Sequence, residues 1–273
     1  MKKLKLGSIV KYLILFAFFM IIITPIAMMI LGSLKESVQA MEMNLSWPKP
    51  LVWENFPYVF KKGDILTGYR NSFIVTFITT VVTVITGGFA GIIIARRKDA
   101  LSTGAYYYVI FGLTMTLQIA STFGLLKVLN IYGELYAIIL ILCGLQMPFT
   151  IMTCVSFVKG VPRDLDEAAI VDGCSPMQLV LRILFPILKP IMVTNVVVTA
   201  IAAWNNFILS LFYLTSSEFY PVPMAVYGFF GQYASDWNYV FAALTLTVLP
   251  MIILFLFLQK YIIAGMTSGA VKG

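Results

Sequence analysis

The sequence predicts an all-α, polytopic membrane protein of six transmembrane helices in a single domain, residues 1–273. Three observations lead there. Only 11% of the residues are charged, less than half of the about 25% usual in soluble domains, while 60% are hydrophobic. The charges are confined to short segments. Between them lie Tyr12–Leu34, Asn71–Ala95, Ala100–Leu126, Leu135–Val158, Pro190–Ser217 and Trp237–Gln259, each free of Asp, Glu, Lys and Arg. All six exceed the roughly 20 residues that carry a helix across the hydrocarbon core, where a helix satisfies its own backbone hydrogen bonds.

Within these runs the spans fall at about 12–34, 71–95, 104–127, 135–158, 190–214 and 237–260. The first is too long for a signal-peptide core and lacks a small-residue cleavage site, so it is expected to be a retained helix. Positive residues set the orientation. With the N-terminus inside, Lys2, Lys3, Lys5 and Lys11, then Arg96, Arg97 and Lys98, then Lys159, Arg163, Arg182 and Lys189, then Lys260 and Lys272 face the cytoplasm. These are thirteen of the nineteen Lys and Arg. Five of the other six lie in the long first outer loop, mixed with Glu36, Glu42, Glu54 and Asp64. Both termini are therefore expected in the cytoplasm. The net charge of +7 reads as a topology signal for a lipid bilayer, with no nucleic-acid partner.

Several chemistries are excluded. No histidine is present, which removes HExxH zinc sites, Ser-His-Asp triads and histidine proton relays. No Gly-Lys dipeptide occurs, so there is no P-loop. The spans hold no carboxylate of the kind that proton-coupled carriers use. No cofactor or metal is called for, and energy for uphill transport would enter through a partner. Cys143, Cys154 and Cys174 fall at membrane or cytoplasmic positions and imply no disulfide framework.

One stretch breaks the apolar pattern. In "RDLDEAAIVDGCSPMQLVLRILFPILKP", residues 163–190, Pro162 suits a first helical turn, and Asp164, Asp166 and Glu167 place negative charge at its positive end. Gly173 supplies a stop. Ser175, Pro176 and Gln178 then form a capping box that opens a second helix, which Pro186 is expected to interrupt. The segment 159–189 is thus a polar helix–turn–helix. Its flat Glu167-Ala168-Ala169 surface fits a groove on another protein; the alternative is an amphipathic helix lying on the membrane.

The same stretch resembles the EAA loop of ABC-importer permeases: Glu167-Ala168-Ala169, three residues, Gly173, nine residues, then Ile183-Leu184-Phe185-Pro186, with Phe185 where Leu is usual. Further segments resemble the carbohydrate-uptake, maltose-type branch of that family. They are "SLKES" at 33–37, "RNSFIVT" at 70–76, "VDG" at 171–173, "WNNFILSL" at 204–211 with Asn206 replacing an acid, and "AGMTSGAVKG" at 264–273. The third span lacks the early proline of that family, which bears on its kink. The resemblance implies a binding-protein-dependent permease in the bacterial inner membrane. Its implied partners are a second, related permease subunit, a cytoplasmic ATPase dimer that hydrolyses ATP, and an extracytoplasmic solute-binding protein. The chain itself would then be a transport subunit and no enzyme. Glu167, Ala168, Ala169, Asp172, Gly173 and Pro186 become the ATPase-coupling residues, and Gly269 and Lys272 a tail contact between the ATPase subunits.

Other features keep two readings. Trp204, Asn205 and Asn206 either line a polar path for a hydroxyl-rich solute or hydrogen-bond neighbouring helices. Gly87, Gly88 and Gly91 form a small-residue face for helix packing or for a moving subunit interface. Residues 215–237 are an outer loop whose Tyr220, Tyr227, Phe229, Phe230 and Tyr233 suit a binding-protein contact or the headgroup layer; the alternative is a seventh span. The tail 264–273 is a frayed end or the ATPase contact. The expected cargo is a sugar or oligosaccharide; a polyol, glycerol phosphate or other small solute is the alternative. A passive channel and an intramembrane enzyme are the rival classes.

Overall fold

The computed structural model describes residues 6–230 and 236–270; Lys2, Lys3, Lys5, Tyr233 and Lys272 lie outside the described residues. Most of those residues are helical, with one isolated parallel bridge between Gly133 and Leu214 and no named strand among them. Four helices are long and apolar enough to cross a membrane: α1 (Leu6–Gly32), α4 (Ile65–Arg96), α7 (Leu135–Lys159) and α13 (Trp237–Ala270). Two bent pairs raise the number of candidate spans to as many as six.

The chain divides into two compact units. The first comprises residues 1–68 and 222–250. It contains α1, the short helices α2 (Ser37–Met41), α3 (Asn55–Lys62) and α12 (Val222–Tyr227), and the start of α13. Its centre is a buried amide knot. Asn55 Nδ2 donates to the carbonyls of Ser33 and Lys35, both at 2.9 Å, and Asn238 Nδ2 donates to Asn55 Oδ1 at 2.9 Å. The ammonium of buried Lys35 donates to the backbone and side-chain oxygens of Asn44 at 2.9 and 2.8 Å. This pairing is what a buried polar group requires.

The second unit comprises residues 69–221 and 251–273. It holds most of α4, then α5 (Ala100–Thr114), α6 (Ile119–Val128), α7, α8 (Asp164–Val171), the helical run α9 (Pro176–Ile187), α10 (Lys189–Trp204), α11 (Ile208–Tyr213) and the end of α13. Two apolar clusters hold it together. One joins Val75, Ile138, Leu142, Leu209 and Tyr213; the other joins Ile92, Cys154, Val155, Val158, Leu184 and Leu188. Helices α4 and α7 approach closely. A Cβ on Gly87 would stand 2.7 Å from Thr150 Cγ2, and one on Gly91 2.5 Å from Cys154 Cβ, whereas Gly88 faces Met192 and Phe185. The glycine face therefore serves packing against two different neighbours.

Several expectations need correction. The third predicted span is two helices, α5 and α6, bent by 117° across residues 115–118, although no proline stands there. The fifth, 190–214, stops at Trp204 and resumes at Ile208 with Phe207 at the N-cap, and in the break Asn206 Oδ1 accepts the Leu209 N–H at 3.2 Å. Residues 215–227 form a 3-10 turn (Ser217–Phe219) and α12, both too short to cross a bilayer. Residues 264–270 continue α13 as helix. That segment carries no proline, and a glycine costs only about 1 kcal/mol in an established helix. The helix that Pro186 is expected to interrupt ends one residue later, at Ile187, and α10 follows at a bend of 73°. A π turn over Leu179–Leu184 precedes the proline, and the wider turn relieves the crowding that its ring would impose on the Arg182 carbonyl. The preceding helix begins at Asp164 rather than at Pro162.

Candidate functional site

The polar stretch folds as its residues dictate. In α8, the Arg163 carbonyl accepts the N–H groups of Asp166 and Glu167 at 2.8 and 3.1 Å, and Asp164, Asp166 and Glu167 occupy the first turn. The helix closes in a Schellman pattern. Cys174 N–H donates to Ala169 O at 2.9 Å and Gly173 N–H to Ile170 O at 3.0 Å. Gly173 has φ +83°, and a Cβ there would meet nothing within 4 Å, so glycine is favoured by backbone conformation rather than by space. Helix α9 opens with the reciprocal capping box: Ser175 N–H donates to Gln178 Oε1 at 2.8 Å and Gln178 N–H to Ser175 Oγ at 3.4 Å, with Pro176 first in the helix.

What fixes this helix–turn–helix to the membrane part is an ion pair. Arg96, the last residue of α4, places Nε 2.8 Å from Asp166 Oδ2 and Nη2 3.1 Å from Oδ1, and its Nη1 donates to Val161 O at 3.1 Å. Arg163 Nη2 returns a bond to Arg96 O at 3.2 Å. The pair is about 15% exposed on each side, and its Nη2–Oδ1 hydrogen bond gives geometric definition as well as attraction. Ala169 is buried, while Glu167, Ala168, Asp172, Gly173 and Pro186 are exposed. Of the EAA triplet, one alanine therefore anchors the helix and the other residues face outward. A cavity of about 530 Å³, lined by Ile92, Arg96, Glu167, Ile170, Leu179 and Leu184, lies beside that exposed edge.

A second group of predicted residues gathers where α10 ends. Trp204 is buried, its ring centroid 6.2 Å from that of Tyr69. Asn205 is exposed, and Asn206 leaves a buried Nδ2 with no hydrogen-bond partner among the described residues. The break between α5 and α6 lines another cavity, of about 640 Å³, that includes Tyr108, Thr116, Gln118, Thr122, Met147 and Pro148. The outer-loop aromatics do not share a unit. Tyr220 belongs to the second, where Asn71 Nδ2 donates to the carbonyls of Glu218 and Tyr220 at 2.7 and 3.1 Å. Exposed Tyr227 and half-buried Phe229 belong to the first, with Phe229 6.2 Å from the Tyr239 ring. Gly269 lies in α13.

Sequence reasoning missed the Arg96–Asp166 clamp and the Asn71 anchor. The signals were an arginine closing an apolar run, an acid in a helical first turn and an asparagine opening one.

Residues 87–268 match the model of a family described as the binding-protein-dependent transport system inner membrane component. The chain belongs to this family. It is 31% identical over 279 residues to the probable ABC transporter permease YurM of Bacillus subtilis, covering 100% of this chain and 91% of that one. To the melibiose/raffinose/stachyose import permease MelC of B. subtilis it is 31% identical, covering 83% of each. The multiple sugar-binding transport system permease MsmG of Streptococcus mutans is 30% identical, with 99% of each chain covered. Among solved structures, a chain of a bacterial ABC transporter involved in the import of the acidic polysaccharide alginate superposes with a TM-score of 0.82. That match covers 96% of this chain and 98% of the other at 18% identity, and so establishes a common fold. The chain is accordingly an all-α permease subunit, an inner membrane component of a transport system.

Proposed function

We propose that this permease subunit of an ABC importer admits a sugar or oligosaccharide, delivered by an extracytoplasmic binding protein, and is driven by ATP hydrolysis on a cytoplasmic ATPase dimer. A related second permease completes the pathway, and both termini face the cytoplasm, as the positive residues favour.

The observation that carries the coupling role is the clamp. Helix α8 and its C-cap present Glu167, Ala168 and Asp172 outward, yet the helix is tied through Asp166 to the end of α4. A partner that gripped the exposed edge and changed shape on binding ATP would move α4 with it. Each state is then favoured by different contacts at the two faces, which coupling requires. The path is supported by two interruptions of helix, at 115–118 and 205–207. Non-helical backbone at membrane depth is tolerated where it is buried in protein or lines a water-filled cavity. Thr116, Gln118, Asn205 and Asn206 stand at those breaks with groups able to hydrogen-bond sugar hydroxyls. The saccharide cargo is favoured by the names of the relatives, MelC and MsmG among them.

The test is uptake of labelled mono- and oligosaccharides, polyols and amino acids by cells with and without the gene, complemented by wild type or Glu167→Ala. The expected result is loss of one saccharide class, restored by wild type and reduced at least about tenfold with Glu167→Ala, the loss of one charge-assisted contact. Full uptake with correctly inserted Glu167→Ala would refute the coupling role. Loss of a polyol or an amino acid instead would refute the cargo.

A further inference from the structure

A different cavity, of about 790 Å³, opens where α4 and α7 end and α5 begins. Five cations line it: Arg96, Arg97, Lys98, Lys159 and Arg163. The carboxylates that touch them are Asp166, on Arg96, and Asp99, whose Oδ2 is 4.0 Å from Arg97 Nη1. Five positive against two negative charges leave an excess of three. Lys98 has neither an ion-pair nor a hydrogen-bond partner among the described residues, and Lys159 Nζ is held 4.7 Å from the centroid of the Tyr106 ring. Like charges brought together from three elements repel one another, so an anion among them would stabilise the group.

The wall of the cavity identifies the kind of anion. Tyr106 and Tyr107 line it beside the cations. Tyrosine favours the layer where hydrocarbon meets headgroup. From the rim, the exposed residues Thr103, Tyr107 and Phe111 run up α5 at i, i+4 spacing, on the side whose Thr103 and Tyr107 line the cavity. Tyr107 and Phe111 are 66% and 58% exposed, which leaves an open apolar strip continuous with the cavity wall. A free phosphate would use the cations and leave this face empty. A phospholipid uses both.

We propose that this cavity binds an anionic phospholipid, its phosphate among Arg97, Lys98 and Lys159 and an acyl chain along the Tyr107–Phe111 strip of α5. Basic pockets between transmembrane helices hold such headgroups in this way. The charge of the site matches the anionic cytoplasmic leaflet on the orientation proposed above, and the inference does not depend on the cargo.

The test is native mass spectrometry of the full chain in detergent, titrated with phosphatidylglycerol or phosphatidylcholine. Phosphatidylglycerol is expected to bind at least about tenfold more tightly, since each basic residue near a surface is worth about fivefold in affinity. Lys98→Gln, a substitution of an exposed and unpaired side chain, should weaken it about fivefold, and combined Arg97→Gln, Lys98→Gln and Lys159→Gln on the order of 100-fold. The matched outer-loop change Lys49→Gln, Lys61→Gln and Lys62→Gln should have no effect. Equal binding of the two lipids, or undiminished phosphatidylglycerol on Lys98→Gln and the triple variant, would overturn the proposal. So would displacement of the lipid by millimolar inorganic phosphate, which would mark a free-anion site.

Discussion

Helices α1 and α4 are both long enough and apolar enough to cross a bilayer, yet they differ in what they touch. None of the most apolar stretch of α1 is buried within the chain, while 44% of the corresponding stretch of α4 is. Composition explains the contrast. Leu13, Phe16, Phe18, Phe19, Ile21 and Ile22 of α1 are all exposed. Lipid tails are as apolar as leucine, so large aliphatic side chains gain nothing by leaving lipid for protein. Helix α4 instead carries Thr76, Thr79, Thr80 and Thr83, then Gly87, Gly88 and Gly91. Small residues let backbones approach, and the dispersion gained at close contact drives association. Hydropathy thus marks which helices cross; small and hydroxylic residues mark which ones pack.

The largest expected effect breaks that contrast at its tightest point. Gly91→Leu puts a branched side chain where even a Cβ would stand 2.5 Å from Cys154 Cβ and 3.3 Å from the Ile151 carbonyl. Overpacking of this kind should cost about 3 kcal/mol, measured by unfolding in mixed micelles. The matched change on α1, Ile14→Ala, should cost less than about 0.5 kcal/mol, as surface substitutions do. Equal losses at the two positions would erase the distinction.

An intermediate effect lies at the end of α4. Arg96→Ala leaves the Asp166 carboxylate with little solvent and no partner, and Asp166→Ala does the reverse. Each should cost about 2 kcal/mol, between the values for surface and buried ion pairs. The double variant should cost less than the sum, a coupling of about 1 kcal/mol in a double-mutant cycle. Amide exchange over residues 164–171 should quicken in both single variants, because α8 loses its tether. Strictly additive losses would mean that the 2.8 Å contact does not join α8 to α4.

Much of this was legible because it is local chemistry. The capping box at Ser175–Gln178 and the glycine stop at 173 follow from residues a few positions apart, and both fold as the spacing dictates. The six apolar runs likewise report a property of each segment alone. What escaped were events that need a second segment. The bend at 115–118 has no proline of its own; instead Pro148, from α7, stands 3.2 Å from where a Cβ on Gly112 would be, just before the break. The Arg96–Asp166 pair joins residues 70 positions apart. Asn206, read as one polar residue inside a span, lies in a break of that span, where its Oδ1 accepts the Leu209 N–H at the start of α11.

The smallest effect lies where α4 gives way to α5, two residues beyond Arg97. Asp99 caps α5 by accepting the Ser102 N–H at 2.7 Å. That backbone bond, then the Ser102 side chain, then the Arg97 charge hold its carboxyl below the ordinary value of 3.8. A depressed folded-state pKa contributes stability that is complete above the unfolded value and lost as pH falls through the lower folded one. Asp99→Ala should therefore speed exchange of the Ser102 and Thr103 amides by the same factor at every pH from neutral down to about 5. The difference from wild type should close only below 3.8, as the wild-type carboxylate takes up its proton. Asp99→Asn, which keeps an oxygen acceptor, should retain most of the protection and show no such pH step. A step that persists in the asparagine variant would assign the titration to another group and leave the start of α5 held by packing alone.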